Sequence, residues 1–259
     1  MYDLGFLTTV DGWVTLLTVS FLEVILGIDN IIFIAIVSDK LPQSQQALSR
    51  NLGLFLALVI RIILLFFIGI ILGLTEPVFT LNIGFHWACS GRDLILLGGG
   101  VFLTWKTMQE LYEKATLKHG AHAEGKKNDS TTFVGAITQI VVIDTVFSFD
   151  SILAAIPMCN INGVTNISLM IATVVVAMVI MILFSAPVSK FVNKHSSVKT
   201  LALAFLVMIG IILLVEAFHG HFEKSLVYFA LVFSLIVEML NLWERNNIEK
   251  KEKLHSNID

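Results

Sequence analysis

Residues 13–37 read WVTLLTVSFLEVILGIDNIIFIAIV, an apolar stretch that is interrupted by two acids, Glu23 and Asp29. A helix that crosses a membrane needs roughly 20 predominantly apolar residues, so this stretch predicts a transmembrane helix. An ionisable side chain at bilayer depth is costly and is therefore a candidate for function. The segment predicts both the fold class and the place of a functional site.

The whole chain has the composition of a polytopic membrane protein. Of its 259 residues, 56% are hydrophobic and 14% are charged, and the mean hydropathy is +0.85, whereas about a quarter of the residues in globular chains are charged. A net charge of −3 gives no basic surface for nucleic acid. The sequence contains no HExxH, GxSxG or P-loop pattern, so we expect that the protein is not an enzyme.

Seven stretches are predicted to form transmembrane helices, which makes the fold all-α. Six are long and apolar, whereas the apolar part of the third is short and is followed by Lys106 and Glu110. Gly98-Gly99-Gly100 in this third span predicts a close helix contact, because glycine lets two backbones approach. The spans are Trp13–Val37, Leu52–Leu74, Asp93–Tyr112, Phe133–Pro157, Ile167–Val188, Thr200–His219 and Ser225–Trp243.

The Lys and Arg residues predict the orientation of the bundle. The segments after spans one, three, five and seven hold 14 of them when Lys106, in the polar end of span three, is counted, whereas the N-terminus and the other segments hold only Arg92 and Lys224. Cytoplasmic loops are enriched in Lys and Arg. We therefore expect the N-terminus outside and the C-terminus in the cytoplasm, with residues 113–132 as a cytoplasmic loop and residues 244–259 as a cytoplasmic tail.

Two spans carry the same pattern of polar residues. An acid is followed by a small residue after four positions, by a second acid after six, and by an amide or hydroxyl side chain after seven. These spans are three apart, and an odd number of spans makes the two copies opposite in orientation, as in the inverted repeats of secondary transporters. The matching residues are Glu23, Gly27, Asp29 and Asn30 in span one and Asp144, Ser148, Asp150 and Ser151 in span four.

The repeat also predicts how the transmembrane domain, residues 1–243, is organised. Repeat one covers about 13–112 and repeat two covers about 133–219. An extra helix at 225–243 follows, so we expect a 3+3 inverted repeat plus one helix.

Helical geometry separates the members of each motif. At about 100° per residue, positions i, i+4 and i+7 share a face, whereas i+6 lies about 120° away. Asp29 and Asp150 can join their motif partners only where the helix is unwound, so we expect a break near Gly27 and a less favourable one near Ser148. Broken helices at the midplane present ligands to ions in transporters.

The expected depths of four acids form a ladder. At a rise of 1.5 Å per residue, Asp29 lies about 9 Å from Glu23 toward the cytoplasm, and Asp150 lies a similar distance from Asp144 toward the outside. We therefore expect Glu23 and Asp144 at the centre, Asp29 at the inner mouth and Asp150 at the outer mouth.

Three further charged residues lie inside the predicted spans other than the third. Arg61 is the tenth of the 23 residues of span two, and we expect it to pair with a carboxylate in a structural or coupling role. Glu216 and Glu238 lie near span ends and can reach the interface, so structural and coupling roles both stay open for them. If all are ionised, the six acids and one arginine leave five excess negative charges, which a bound cation or protons must offset.

The two motifs offer oxygen ligands. Carboxylate, carbonyl and hydroxyl groups favour Mg²⁺, Ca²⁺ or Mn²⁺ over the softer metals. Proton coupling and cation binding compete as uses of the same acids. The predicted metal ligands are Glu23, Asp29, Asn30, Asp144, Ser148, Asp150 and Ser151.

These motifs resemble those of the TerC family of integral membrane proteins. The resemblance covers roughly residues 13–243 and rests on FLEVILGIDN at 21–30, DTVFSFDS at 144–151 and YFALVFSLIVEMLN at 228–241. GRDLIL at 91–96 fits the short bacterial members that lack regulatory domains. The resemblance implies a multi-pass protein of the bacterial inner membrane that exports divalent metal, above all Mn²⁺. The residues that match the family's acidic motif positions are Glu23, Asp29, Asn30, Asp144 and Asp150.

Two functions fit this resemblance. One is a cation exporter without a resident cofactor, in which the metal ion is the cargo. The other is a membrane metallation or assembly factor that supplies metal to exported proteins, with the secretion machinery or exported metalloproteins as partners. The lipid bilayer and the metal ion are expected partners of both, and nucleic acid of neither. The identity of the metal, the coupling ion, the direction of flux and the oligomeric state stay open.

The two cysteines fall in segments that are expected to lie outside. Disulfides can persist there, and a bridge between Cys89 and Cys159 needs Cα atoms within about 7 Å. The sequence leaves a bridge and two free thiols open.

Overall fold

The computed structural model describes residues 5–82, 86–117, 132–161, 164–220 and 222–256. In these ranges the chain is almost entirely helical, apart from two short antiparallel hairpins. The helices are α1 (Val10–Leu26), α2 (Ile28–Asp39), α3 (Gln43–Phe66), α4 (Ile68–Gly73), α5 (Gly91–Leu117), α6 (Phe133–Met158), α7 (Ile167–Lys194), α8 (Ser196–Ala217) and α9 (Lys224–Ser256). The strands are β1 (Pro77–Asn82) with β2 (His86–Ser90), and β3 (Asn160–Ile161) with β4 (Val164–Thr165).

The described helices confirm an all-α integral membrane protein. Five of them, α3, α6, α7, α8 and α9, are long and apolar enough to cross a membrane. The pair α1 and α2 gives a sixth span if its two helices, bent by 42°, are counted together. The third predicted span forms α5, which has 27 residues but is not among these apolar helices, because Lys106, Glu110 and Glu113 lie in its second half.

Polar side chains fix the starts of three of these helices. The Thr9 side chain accepts a hydrogen bond from the Gly12 N–H at the start of α1. The Thr132 side chain accepts a hydrogen bond from the Gly135 N–H before α6, and the Asn166 side chain accepts one from the Leu169 N–H before α7. Such caps satisfy backbone N–H groups that have no partner inside the helix.

Glycines bring α5 against its neighbours, as Gly98-Gly99-Gly100 predicts. A Cβ added at Gly100 would lie 2.9 Å from the backbone oxygen of Gly210 on α8, and one at Gly99 would lie 2.4 Å from Val146 Cγ1 on α6. Only a residue without a side chain fits either approach. The predicted close contact is confirmed.

Helix α2 lies at the centre of the bundle. Every residue from Asp29 to Ser38 is buried, and α2 contacts α3, α6, α7 and α8. Helix α9, in contrast, lies at the periphery and exposes Phe229, Val232 and Phe233, as expected for side chains that contact lipid. The acidic motif of span one therefore enters the most enclosed part of the protein.

Two segment boundaries differ from those expected. Helix α5 continues to Leu117, so it extends into the predicted loop 113–132, whose remainder, 118–131, lies outside the described residues. Helix α9 continues to Ser256, so the predicted tail 244–259 is helical over most of its length. Its run of Glu, Lys and Arg residues has the high helix propensity of straight-chain side chains.

Candidate functional site

The first span is broken at Gly27, as its sequence predicts. Helix α1 ends at Leu26, and α2 begins at Ile28 in a new direction. The φ of Gly27 is −99°, which any residue adopts, so its backbone angle does not require glycine. The close packing favours it, because a Cβ at Gly27 would lie 2.6 Å from the Met181 sulfur on α7 and the methionine would have to shift.

The second predicted break, near Ser148, is wrong. Helix α6 runs without interruption from Phe133 to Met158. The Ser148 hydroxyl donates to the backbone oxygen of Asp144, four residues earlier, a bond that a serine forms within a continuous helix. The two motifs therefore share a pattern of side chains but differ in backbone.

Arg61 on α3 lies at the centre of the polar cluster. Its guanidinium forms an ion pair with Glu23 on α1 and a second with Asp144 on α6, where Nη2 lies 3.4 Å from Oδ1. Its Nε donates to Ser148 Oγ at 2.8 Å. Arg61 is 2% exposed, Glu23 5% and Asp144 2%. Buried charges need partners, and the predicted pairing of Arg61 is confirmed with two carboxylates.

The two motifs also bind each other through their last residues. Asn30 Nδ2 donates to Asp144 Oδ1 at 3.2 Å, and Ser151 Oγ donates to Glu23 Oε1 at 3.1 Å. The residue numbers rise along one helix where they fall along the other, so the two segments run antiparallel. Each motif thus supplies the hydrogen-bond donor for the first acid of the other.

The Asn30 side chain keeps one acceptor unused. Its Oδ1 has no hydrogen-bond partner among the described residues, although Asn30 is 3% exposed. A buried polar atom without a partner is rare. The amide oxygen is therefore a spare ligand beside the Asp144 carboxylate.

Asp29 lies in the first turn of α2, directly after the break. It is buried, and its Oδ1 accepts the backbone N–H of Asn30 at 3.0 Å. A carboxylate is favoured at a helix N-terminus because the helix dipole is positive there. The break at Gly27 thus creates, in mid-span, an end that stabilises an acid.

A cavity with an empty volume of about 650 Å³, part of it open to solvent, lies beside the broken helix. Five of the seven predicted ligands line it together with Arg61, whereas Asp144 and Ser148 do not. The opposite wall is apolar and comes from α8 and α9. The polar lining residues are Glu23, Asp29, Asn30, Arg61, Asp150 and Ser151, and the apolar wall includes Ile209, Ile212, Leu213 and Val227, with Tyr228 beside them.

Asp150 connects this cavity to a second, more open pocket at the start of α5. Arg92 Nη2 lies 2.9 Å from Asp150 Oδ1 and 3.8 Å from Glu216 Oε2 on α8. Glu216, whose role the sequence left open, is therefore an ion-pair partner at this end of the bundle. Arg92 was not predicted as a site residue, although its place among segments almost free of Lys and Arg was a signal.

Ion pairs also join the helices at the opposite end of the bundle. On α8, Lys199 Nζ lies 2.6 Å from Asp39 Oδ2 at the end of α2. Lys40 forms an ion pair with Glu110 on α5. Glu238, in contrast, is half-buried on α9 and is not among the residues that line the cavity.

Three of the four motif acids form ion pairs with arginines in this conformation. Within the described ranges, no three Asp, Glu, His or Cys side chains form a group that could hold a metal ion. Glu23 and Asp144 contact Arg61, and Asp150 contacts Arg92. The seven predicted ligands are therefore close together without forming one coordination shell.

The two cysteines are free and buried. Both lie beside the spans, Cys89 in β2 and Cys159 directly after α6. Burial and the nearby negative charge of Glu23 raise the pKa of the Cys159 thiol to about 11. Burial, with the charge of Asp93, also raises the pKa of Cys89.

A profile described as "Integral membrane protein TerC family" matches residues 8–253. The chain belongs to the TerC family. The resemblance of the two acidic motifs is therefore confirmed over nearly the whole sequence.

Several curated TerC relatives carry the description UPF0053. The UPF0053 inner membrane protein YoaE of Escherichia coli strain K12 is 44% identical over 235 residues, which are 91% of this chain but only 43% of YoaE. The UPF0053 inner membrane protein YgdQ of the same strain is 42% identical over 238 residues, 92% of this chain and 95% of YgdQ. A UPF0053 protein of Haemophilus influenzae is 41% identical over 232 residues, which are 90% of this chain and 94% of that protein.

This TerC chain spans less than half the length of YoaE and nearly the full length of YgdQ. No solved structure matches it significantly. The names of the relatives and the apolar helices together identify a multi-pass protein of the bacterial inner membrane.

Proposed function

We propose that the protein exports a divalent metal cation, with Mn²⁺ as the substrate that fits best. The observation that carries the proposal is the helix break at Gly27, which opens onto a cavity lined by Glu23, Asp29 and Asn30. Transporters use broken helices at the midplane to present ligands to ions. The protein acts without enzymatic chemistry, and the metal is its cargo.

The donor set supports a hard divalent cation. The cavity offers three carboxylates, the Ser151 hydroxyl and the Asn30 oxygen, which lacks a hydrogen-bond partner within the described part of the chain. Oxygen ligands of this kind suit Mg²⁺, Ca²⁺ and Mn²⁺. Among these ions, the TerC resemblance favours Mn²⁺.

The proposed path runs from Asp29 past Glu23 and Asp144 to Asp150. Asp29 lines both the cavity and an apolar cleft between α2, α8 and α9. Asp150 lines both the cavity and the open pocket beside Arg92. In the proposed path, Asp29 is the inner mouth and Asp150, beside the open pocket, is the outer mouth.

The proposed topology has seven spans, with the N-terminus outside and α5 as the third span. The antiparallel contacts Asn30–Asp144 and Ser151–Glu23 are those expected for two inverted repeats. The bias of Lys and Arg toward alternate segments supports the orientation. A 3+3 repeat followed by α9 as the extra helix accounts for both features.

The test is the metal content of cells grown in excess Mn²⁺ with and without the protein. We expect cells without it to accumulate Mn²⁺, and the wild-type chain to restore normal content. Glu23→Gln should fail to restore it, whereas Glu244→Gln, on an exposed part of α9, should act as wild type. Equal Mn²⁺ content with and without the protein, while it is present in the membrane, would contradict export.

A further inference from the structure

We propose that Arg61 is a tethered counter-ion that competes with the transported cation for Glu23 and Asp144. The inference rests on the proposed function and adds a release mechanism to it. The guanidinium holds the two central acids when no cation is bound, and the arriving divalent cation displaces it into the cavity.

The charges favour displacement over simultaneous binding. Glu23 and Asp144 carry two negative charges when ionised, and Arg61 already contributes one positive charge to them. A divalent cation bound by these two acids beside Arg61 would bring the two acids, the arginine and the cation to a net charge of +1, whereas with Arg61 moved toward the Asp29 carboxylate the cation neutralises the two central acids. Unbalanced charge is costly away from water, so the neutral arrangement is the stable one.

The cavity gives the displaced side chain a place to move. Arg61 itself lines the cavity, so its side chain borders the space into which we propose that it moves. The carboxylate of Asp29 lines the same space and offers the displaced guanidinium an acid.

Other side chains keep the central acids in position during the exchange. Ser151 donates to Glu23, and Asn30 donates to Asp144. The Asn30 Oδ1, which has no hydrogen-bond partner among the described residues, is ready to serve as a cation ligand. Return of the tethered guanidinium then expels the cation, so one side chain contributes both charge compensation and release.

The experiment measures Mn²⁺ binding to purified protein in nanodiscs. Arg61→Gln should bind Mn²⁺ at least about tenfold more tightly than wild type, because a positive charge next to the cation is removed, while its transport in proteoliposomes falls. Arg61→Lys keeps the charge and should stay closer to wild type in affinity. Arg50→Gln removes another buried arginine of α3, one that hydrogen-bonds Ser189, and should leave Mn²⁺ affinity unchanged.

Guanidinium ions provide a second readout. In Arg61→Ala, added guanidinium chloride at low, non-denaturing concentration should compete with Mn²⁺ and weaken its binding, whereas it should have no such effect on wild type. A purely structural ion pair predicts no competition.

A third measurement uses the wild-type chain, so it does not depend on the folding of a variant. Arg61 is buried, and phenylglyoxal should modify it slowly, as followed by mass spectrometry of its peptide. Saturating Mn²⁺ should accelerate the modification, because the guanidinium leaves its acids. Protection of Arg61 by Mn²⁺, or no change, would overturn the inference.

The outcomes separate this inference from the proposed function. If wild type, Arg50→Gln and Arg61→Gln all fail to bind Mn²⁺, the proposed metal substrate is wrong. If wild type binds Mn²⁺ and folded Arg61→Gln binds it with equal or lower affinity, the tethered counter-ion is wrong and the metal site stands.

Discussion

Asn30 and Asp144 lie 114 positions apart in the sequence, yet Asn30 Nδ2 donates to Asp144 Oδ1 at 3.2 Å in the interior of the bundle. Ser151 returns the contact by donating to Glu23. The two acidic motifs are therefore one structural unit, in which each motif orients the first acid of the other. The proposed site depends on this reciprocal arrangement.

Asn30→Ala should weaken both folding and cation binding. The buried carboxylate of Asp144 loses a hydrogen bond, and bonds to charged groups contribute about 1.5–3 kcal/mol, so the free energy of unfolding should fall by an amount in this range. The change also removes the spare oxygen ligand, so Mn²⁺ affinity in nanodiscs should fall. Denaturant titration and Mn²⁺ titration measure the two effects.

The matched control is Asn193→Ala on α7. Asn193 donates to the neutral Ser189 hydroxyl at 3.4 Å, so its loss should cost about 0.5–1.5 kcal/mol and leave Mn²⁺ affinity unchanged. Wild-type Mn²⁺ affinity in Asn30→Ala would show that the amide oxygen is not a ligand.

Asp29→Asn and Asp150→Asn should produce opposite, side-specific defects. Asp29→Asn should raise the cytoplasmic Mn²⁺ concentration for half-maximal transport by about tenfold, since ligand charge sets divalent affinity. Asp150→Asn should mainly slow release on the other side. Transport in sealed vesicles of both orientations, with Mn²⁺ titrated on each side, measures this difference. Identical kinetic defects would instead favour one compact site that contains all four acids.

Gly27→Ala should destabilise the protein and reduce transport. The new Cβ would meet the Met181 sulfur at 2.6 Å, and overpacking of this kind costs about 1–3 kcal/mol. Thermal unfolding and Mn²⁺ flux check the prediction. Gly27→Ala should cost less stability in a Met181→Ala background than in the wild-type chain, because the contacting atom is absent there.

Gly69→Ala is the control for this change. Gly69 lies in α4, and a Cβ added there would have no neighbouring atom within 4 Å. The substitution should therefore be neutral. The close packing at Gly27 would be contradicted if Gly27→Ala were as stable and as active as Gly69→Ala.

The sequence predicted the acids, the break at Gly27 and the glycine contact of α5, because each depends on local residue type and helical spacing. It did not predict the continuous backbone at Ser148, since only the side-chain pattern repeats and serine forms a local hydrogen bond inside a helix. Arg61 was identified as a paired residue, but its contact with both motifs depends on how α3 packs against α6 and brings its arginine to Glu23. The apolar wall near Tyr228 likewise depends on tertiary packing and leaves no periodic signal.

Both cysteines should react slowly as free thiols. The pKa of Cys159 is raised to about 11 and that of Cys89 is raised as well, so the reactive thiolate is scarce at neutral pH and increases only as the pH approaches the raised values. Iodoacetamide labelling from pH 7 to 10 should therefore be much slower in folded than in unfolded protein. Non-reducing mass spectrometry should find two free thiols, and a Cys89–Cys159 bridge would contradict the structure.

Export of a divalent cation through the Gly27 cavity is best tested by Mn²⁺ flux into proteoliposomes that contain the purified protein and a Mn²⁺-sensitive dye. We expect that each wild-type molecule moves many ions, that Glu23→Gln moves almost none, and that Glu244→Gln matches wild type. Uptake of no more than about one ion per wild-type molecule would contradict transport and would instead favour a membrane factor that supplies metal to exported proteins.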